Sequence, residues 1–153
     1  MSEEQRVGSA SLPLGTIMKI GIIGSMQYTE KMIEARDELI KRRYEAFVTN
    51  LAAPFIGKTD EEKEVIKLHQ KNNLDAIREF WKLMQGADAV LVMNFDKHGI
   101  QNYIGGNTLM EIGFAHVLNQ KIFLYHPIPD GLLRDEINGF GPVVIDEDLT
   151  RVI

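Results

Sequence analysis

At 153 residues the chain has the length of one domain and enough sequence to bury a core without staples. It contains no cysteine, which excludes a disulfide frame, a thiolate metal site and a cysteine nucleophile. A net charge of −5 argues against the basic face that nucleic acid requires, and no stretch approaches the ~18 apolar residues of a membrane span.

Residues 1–16 begin MSEEQRVGSASLPLG. They lack a basic start followed by an apolar run, so no secretory signal is read there. They read as a flexible extension ahead of a single domain over 17–153, and a cytoplasmic location is expected. Met18 to Ile23 is a short apolar run stopped by Gly24-Ser25, the pattern of a buried strand. Met26 to Arg43 reads as a helix, with Met32, Ala35, Leu39 and Ile40 at helical spacing and a basic end that suits the dipole. Glu45 to Thr49 is the next strand, and Pro54 and Gly57 mark the loop after it. Asp60 to Gln85 reads as a long helical segment capped by Thr59 or Asp60, with a break near Asn72-Asn73. Its inner face is expected to carry Ile66, Asn73, Ile77, Phe80, Trp81 and Met84. Asp88 to Met93 is a third strand, Asn94 to Gly106 a loop and Thr108 to Asn119 an apolar helix. Lys121 to Tyr125 is a fourth strand. A Pro/Gly turn, a short helix to Asn138 and the run GPVVI, a fifth strand, complete the chain.

The strands are continuous apolar runs alternating with helices, which argues for a parallel sheet covered on both faces. The predicted fold is α/β, a flavodoxin/Rossmann-like three-layer sandwich with a five-stranded parallel sheet of order 2-1-3-4-5. In such a sheet ligands bind beyond the carboxyl ends of the strands, where the strand order reverses. That point brings Gly24-Ser25-Met26 to the segment from Asn94 to Thr108.

From His98 to Gln120 the chain has one acidic residue, Glu111, and no Lys or Arg. Two readings of Glu111 stand side by side. Thr108-Leu109-Met110-Glu111 fits the S/T-x-x-E capping box, a structural role. A carboxylate near a helix start, kept ionised by the dipole, can also serve as nucleophile or stabilise a cation. Gly105-Gly106-Asn107-Thr108 is either a plain turn or a place where backbone approaches a ligand. Gly24-Ser25 is either a tight turn or a phosphate or ribose contact, and matches neither a dinucleotide fingerprint nor a P-loop. Asp96 and Asn94 follow the central strand at the productive end of the sheet. Asp88 stands at that strand's start, which suits a structural cap. Tyr103 can stack on a base, Met26 can wall the crevice and Trp81 reads as core. The four histidines show no metal spacing, so neither metal nor cofactor is assigned.

Three segments together, GIIGSM, ADAVLVMNFD and GGNTLMEIGFAHVLNQKIFLY, resemble the nucleoside 2-deoxyribosyltransferase-like family, which also holds the 2′-deoxynucleoside 5′-monophosphate N-glycosidases. The resemblance runs from Met18 to about Pro129 and is most specific at Glu111-Ile112-Gly113-Phe114-Ala115. It implies that Glu111 is a catalytic nucleophile attacking the anomeric carbon of a (deoxy)ribose. It places the family's assisting aspartate on Asp96 or Asn94, matches a further common aspartate with Asp88, and puts sugar or phosphate contacts at Gly24 and Ser25. It also implies a homodimer or larger homo-oligomer. Two positions depart from the family pattern. Ile104-Gly105-Gly106-Asn107-Thr108 replaces an acidic D-x-G-T, and no arginine follows Gly24-Ser25. The segment YIGGNTLMEI is also similar to the glycine-rich turn of the lysine-decarboxylase-like phosphoribohydrolases.

The expected activity is cleavage, by hydrolysis or transfer, of the N-glycosidic bond of a (deoxy)nucleoside or its 5′-monophosphate. The alternatives are a nucleotide-binding module without turnover on the same fold, or a phosphoribohydrolase of the lysine-decarboxylase-like type. A carboxylate suits this chemistry because the transition state is oxocarbenium-like. The absence of Lys and Arg from the surrounding stretch is expected to leave its negative field undiminished.

Overall fold

A computed structural model describes residues 16–153 of the chain. The expected extension over 1–16 lies outside the described residues, apart from Thr16. The elements run in the order β1 (Lys19–Gly24), α1 (Thr29–Lys41), β2 (Glu45–Phe47), α2 (Asp60–Asn73), α3 (Ala76–Met84), β3 (Ala89–Met93), α4 (Gly106–Val117), β4 (Lys121–Leu124), α5 (Arg134–Gly139) and β5 (Val143–Val144). Short 3-10 turns occupy Met26–Tyr28, Ala53–Phe55 and Leu149–Arg151.

The five strands form an all-parallel sheet of order 2-1-3-4-5, as the apolar strand pattern predicts. Central β3 is buried along its whole length. That explains why it reads as AVLVM rather than as an alternation. Helices cover both faces and make the fold a three-layer Rossmann-like sandwich. On one face Met32, Ala35 and Leu39 of α1 pack with Ile20, Ile22, Leu91 and Phe123. On the other, Phe80 and Met84 of α3 and Ile112 and Ala115 of α4 pack with Ile23, Val90, Val92 and Leu124.

Three expectations about helices need correction. The first is the break in the segment 60–85, which falls at Leu74-Asp75 rather than near Asn72-Asn73. Leu74 ends α2, and Asp75 takes a left-handed conformation (φ 48°) while its carboxylate caps α3 by accepting from Arg78 N. That residue resets the helical phase. Phe80 and Met84 therefore face the core as expected, whereas Asn73 and Ile77 are exposed and Ile66 is half-buried. Trp81 is also only half-buried, its ring edge-on to Phe114 at 5.0 Å. The second is the helix read from Met26, which opens as a 3-10 turn and becomes α1 only at Thr29. The third is α4, which starts at Gly106 instead of Thr108, with Gly105 as its N-cap. The sequence-predicted cap of α2 is present: Thr59 accepts from Glu62 N at 3.1 Å while Glu62 accepts from Thr59 N at 2.9 Å, a full capping box.

Candidate active site at the switch point of the sheet

The crevice forms where β1 and β3 part company. Gly24 ends β1 opposite Met93, with φ 155°. A Cβ there would stand 2.9 Å from Met93 O, so only glycine lets the two strands approach and turn apart at this point. Ser25 caps the following 3-10 turn through Gln27 N at 3.3 Å, and its Oγ accepts from Lys97 Nζ at 2.8 Å. Met26 forms part of the crevice wall.

The far wall is the start of α4. Gly105 has no side chain to cap the helix, and the first intrahelical backbone bond runs from Leu109 N to Gly105 O. The amides of Gly106, Asn107 and Thr108 are therefore the unsatisfied donors of a helix N-terminus. They border a cavity of about 140 Å3 shared with Ser25, Tyr103, Lys67, Lys71 and Lys97. Gly105 packs against the Tyr103 ring, 3.2 Å from where a Cβ would be. A Cβ at Gly106 would meet no protein atom within 4 Å. The smallness of Gly106 is not a requirement of the fold.

Glu111 is the sixth residue of α4, in the second turn of the helix rather than the first. It cannot reach the cap, so the capping-box reading fails. It lines a narrow cavity of about 60 Å3 with Gly24, Met26, Gln70, Lys71, Phe80 and Asn107. The side chain keeps a partial solvent contact through the cavity mouth but is densely surrounded by protein. Burial, reinforced by the charge of Glu79 and opposed by Lys71, pushes its pKa up to about 8. That overturns the expectation of a carboxylate held ionised by the dipole: desolvation wins over a dipole whose influence fades beyond the first turn.

The other predicted carboxylates do not join Glu111. Asp88 sits at the amino end of β3, where it accepts from Lys19 N at 2.8 Å. A strand of this length rises by roughly 17 Å, which puts Asp88 at the opposite rim from the crevice. Asp96 is exposed and folds back on its own loop, accepting from Asn102 N at 2.9 Å, while its backbone carbonyl accepts from Tyr28. Asn94 is buried and fully occupied. Its amide donates to His126 O at 2.9 Å and Pro127 O at 3.2 Å, and its oxygen accepts from His126 N at 2.9 Å. It staples the ends of β3 and β4 together and presents nothing to a ligand. Tyr103 does reach the crevice, its ring edge-on to His98 at 5.3 Å.

Sequence reasoning missed the groups that α2 and α3 bring in. Lys67 and Lys71 lie one helical turn apart and line the cavities on both sides of Asn107. Glu79, whose oxygens accept from Thr49 and Asn50, is the carboxylate whose charge reaches Glu111. The i,i+4 lysine spacing was visible, but on an exposed polar helix it is indistinguishable from a solvated face. The expectation of an uncharged neighbourhood is thus wrong in space: residues 98–120 lack cations, yet Lys67, Lys71 and Lys97 converge on the crevice. No group of His, Asp and Glu among the described residues forms a metal-binding cluster, and none of their helices is long and apolar enough to cross a membrane.

A scan against protein-family models, a search of curated proteins and a search of solved structures each find no match to this chain.

Proposed function

We propose that the chain cleaves the N-glycosidic bond of a (deoxy)nucleoside or its 5′-monophosphate, with Glu111 as nucleophile. One observation carries the reading. A single carboxyl group, held by no capping or ion-pair duty, lines the cavity at the point where an open α/β sheet binds ligands. In the first step the Glu111 carboxylate attacks the anomeric carbon, and the base leaves with the bonding electrons and takes up a proton. In the second, water or another base attacks the same carbon and frees Glu111. The basic mouth of the crevice favours the 5′-monophosphate over the free nucleoside. The resemblance supports a homodimer or larger assembly as the working form, and the cysteine-free sequence fits a cytoplasmic location.

The test is incubation with a panel of deoxynucleosides, ribonucleosides and their 5′-monophosphates, with chromatography for free base. Release from at least one is the expected outcome, and no release from any would count heavily against the activity. Adding a second base separates the two modes, because only a transferase makes the new nucleoside. A second reading, a nucleotide-binding module without turnover, is favoured by the distance of Asp88 and the engagement of Asp96 and Asn94. It predicts thermal stabilisation by a nucleotide that survives Glu111→Gln, with no base released. If no nucleotide shifts Tm, that reading fails.

A further inference from the structure

Helix α2 is held unlike the other helices. Its two buried side chains are polar, Lys63 and Gln70, and both act as tethers. Lys63 Nζ donates to Gln27 O at 3.0 Å and pairs with Glu30 at 2.6 Å, and Gln70 donates to Leu51 O at 2.9 Å. The main neighbours of α2 are two 3-10 turns and α3 rather than the sheet, and its apolar Val65 and Leu68 are exposed. A helix with few buried apolar contacts belongs to the part of a structure that opens most readily. It ends at Leu74 and the left-handed Asp75, a natural hinge.

This loosely held helix walls in Glu111. The cavity there is narrow, about 60 Å3, and α2 lines one side of it through Lys67, Gln70 and Lys71, so an outward movement of that wall would widen the way to Glu111. The wall with the least apolar packing is α2. Its inner face carries Lys67 and Lys71. Across the 140 Å3 cavity stand Lys97, hydrogen-bonded to Ser25, and the free amides at the start of α4, beside the open space over Gly106. Lys97 is held below its usual pKa by burial and by the like charge of Lys67, a repulsion that an anion between them would relieve. The adjoining cavity sets Asp60, Glu61 and Glu64 beside Lys63, Lys67 and Lys97, with Lys67 paired to Glu64 at 2.7 Å and Lys63 to Glu30.

We propose that α2 is an anion-latched lid: a phosphomonoester bridges Lys67 and Lys71 on the helix to Lys97, Ser25 and the Gly106–Thr108 amides, and so closes the helix over Glu111. The adjoining lining offers no cation beyond the latch lysines and Lys63, which is already paired with Glu30, so additional phosphates find no partner there and the latch takes a monophosphate in preference to a di- or triphosphate. This adds to the glycosidase reading only the seat of the ligand's phosphate. Its test reads exchange protection of α2 rather than release of base, so either idea can fail alone.

The experiment is amide hydrogen exchange over Asp60–Asn73 at constant ionic strength. The probes are inorganic phosphate, a 2′-deoxynucleoside 5′-monophosphate, the matching diphosphate and the phosphate-free nucleoside. At ten times its Kd, a phosphate-bearing probe that binds only the closed form slows α2 exchange about tenfold. The monophosphate, with or without inorganic phosphate, is expected to do so, the nucleoside to have little effect and the diphosphate less effect than the monophosphate. Lys67→Gln with Lys71→Gln is expected to abolish the protection, and Lys97→Gln on a separate element to weaken it. Equal protection by the nucleoside, full protection persisting in the lysine variants, or no protection by the monophosphate would overturn the lid. Equal protection by the diphosphate would overturn the selectivity.

Discussion

At the scale of single residues, the proposed chemistry turns on Glu111. Its carboxyl pKa of about 8 means that the free site is largely protonated at neutral pH, so a nucleophile must first lose its proton. The proposal therefore predicts that kcat/KM rises with pH, levelling off above about 8. A profile that falls through that pH would instead make Glu111 a general acid. Glu79→Gln removes the charge that helps to raise the pKa, and the ascending limb should move to lower pH. The same shift has a sign in stability. A carboxyl whose folded pKa lies above its unfolded value keeps its proton in the folded state after the unfolded chain has lost it. Stability therefore falls as pH rises from about 4.5 to about 8, by about 1.4 kcal/mol per pH unit from this group. Glu111→Gln should remove that slope: Tm close to wild type near pH 4.5 and above it at pH 8–9, by thermal melts across pH. A variant less stable than wild type at pH 9 would contradict the burial. The position of Glu111 was legible in the sequence, because a lone carboxylate in an apolar helix after a glycine pair is conspicuous. Its protonation was not, because α2 and α3, distant in sequence, create the burial and bring Glu79 and Lys71.

Among the elements, α4 and α2 respond to different tests. Gly113 lies inside α4, is not in the left-handed region, and a Cβ there would meet nothing within 4 Å. Replacing an unneeded helical glycine by alanine stabilises by roughly 0.5–1 kcal/mol. Gly113→Ala is thus expected to raise Tm by about 1–4 °C, by calorimetry. A lower Tm would show that Gly113 is needed for a close contact, as a partner subunit packed on α4 would require. The strands were readable because buried parallel strands are continuous apolar runs. The division between α2 and α3 was misplaced because Asp75, a good helix cap, gives no glycine or proline signal. The start of α4 was misplaced because the sequence offers two competing caps: Thr108 has the better side chain, but Gly105 has the right place in the chain. The Thr108 side chain is buried, and Glu111 lies too far along the helix to complete the box.

Over the whole molecule, an acidic chain folds so that three of its lysines meet at one mouth. The net charge of −5 says nothing of this, because Lys67 and Lys71 on α2 and Lys97 after β3 come from separate parts of the chain and meet only in the fold. The sheet order was legible from strand–helix alternation and the handedness of crossovers, and with it the place of the crevice. What the crevice contains was half legible: the β1 turn and the start of α4 came from local sequence, and the α2 wall did not. Asp88, Asp96 and Asn94 show the converse, since residue type and strand position drew attention to groups that the fold uses for its own hydrogen bonds. The central claim is that this crevice exists to bring Glu111 to a glycosidic carbon. The measurement that tests it most directly is release of free base from the best 5′-monophosphate by wild type and Glu111→Gln side by side. The account predicts release by wild type and a loss of about a thousandfold or more in the variant, with its fold and nucleotide binding retained. Equal rates from the two proteins would contradict it.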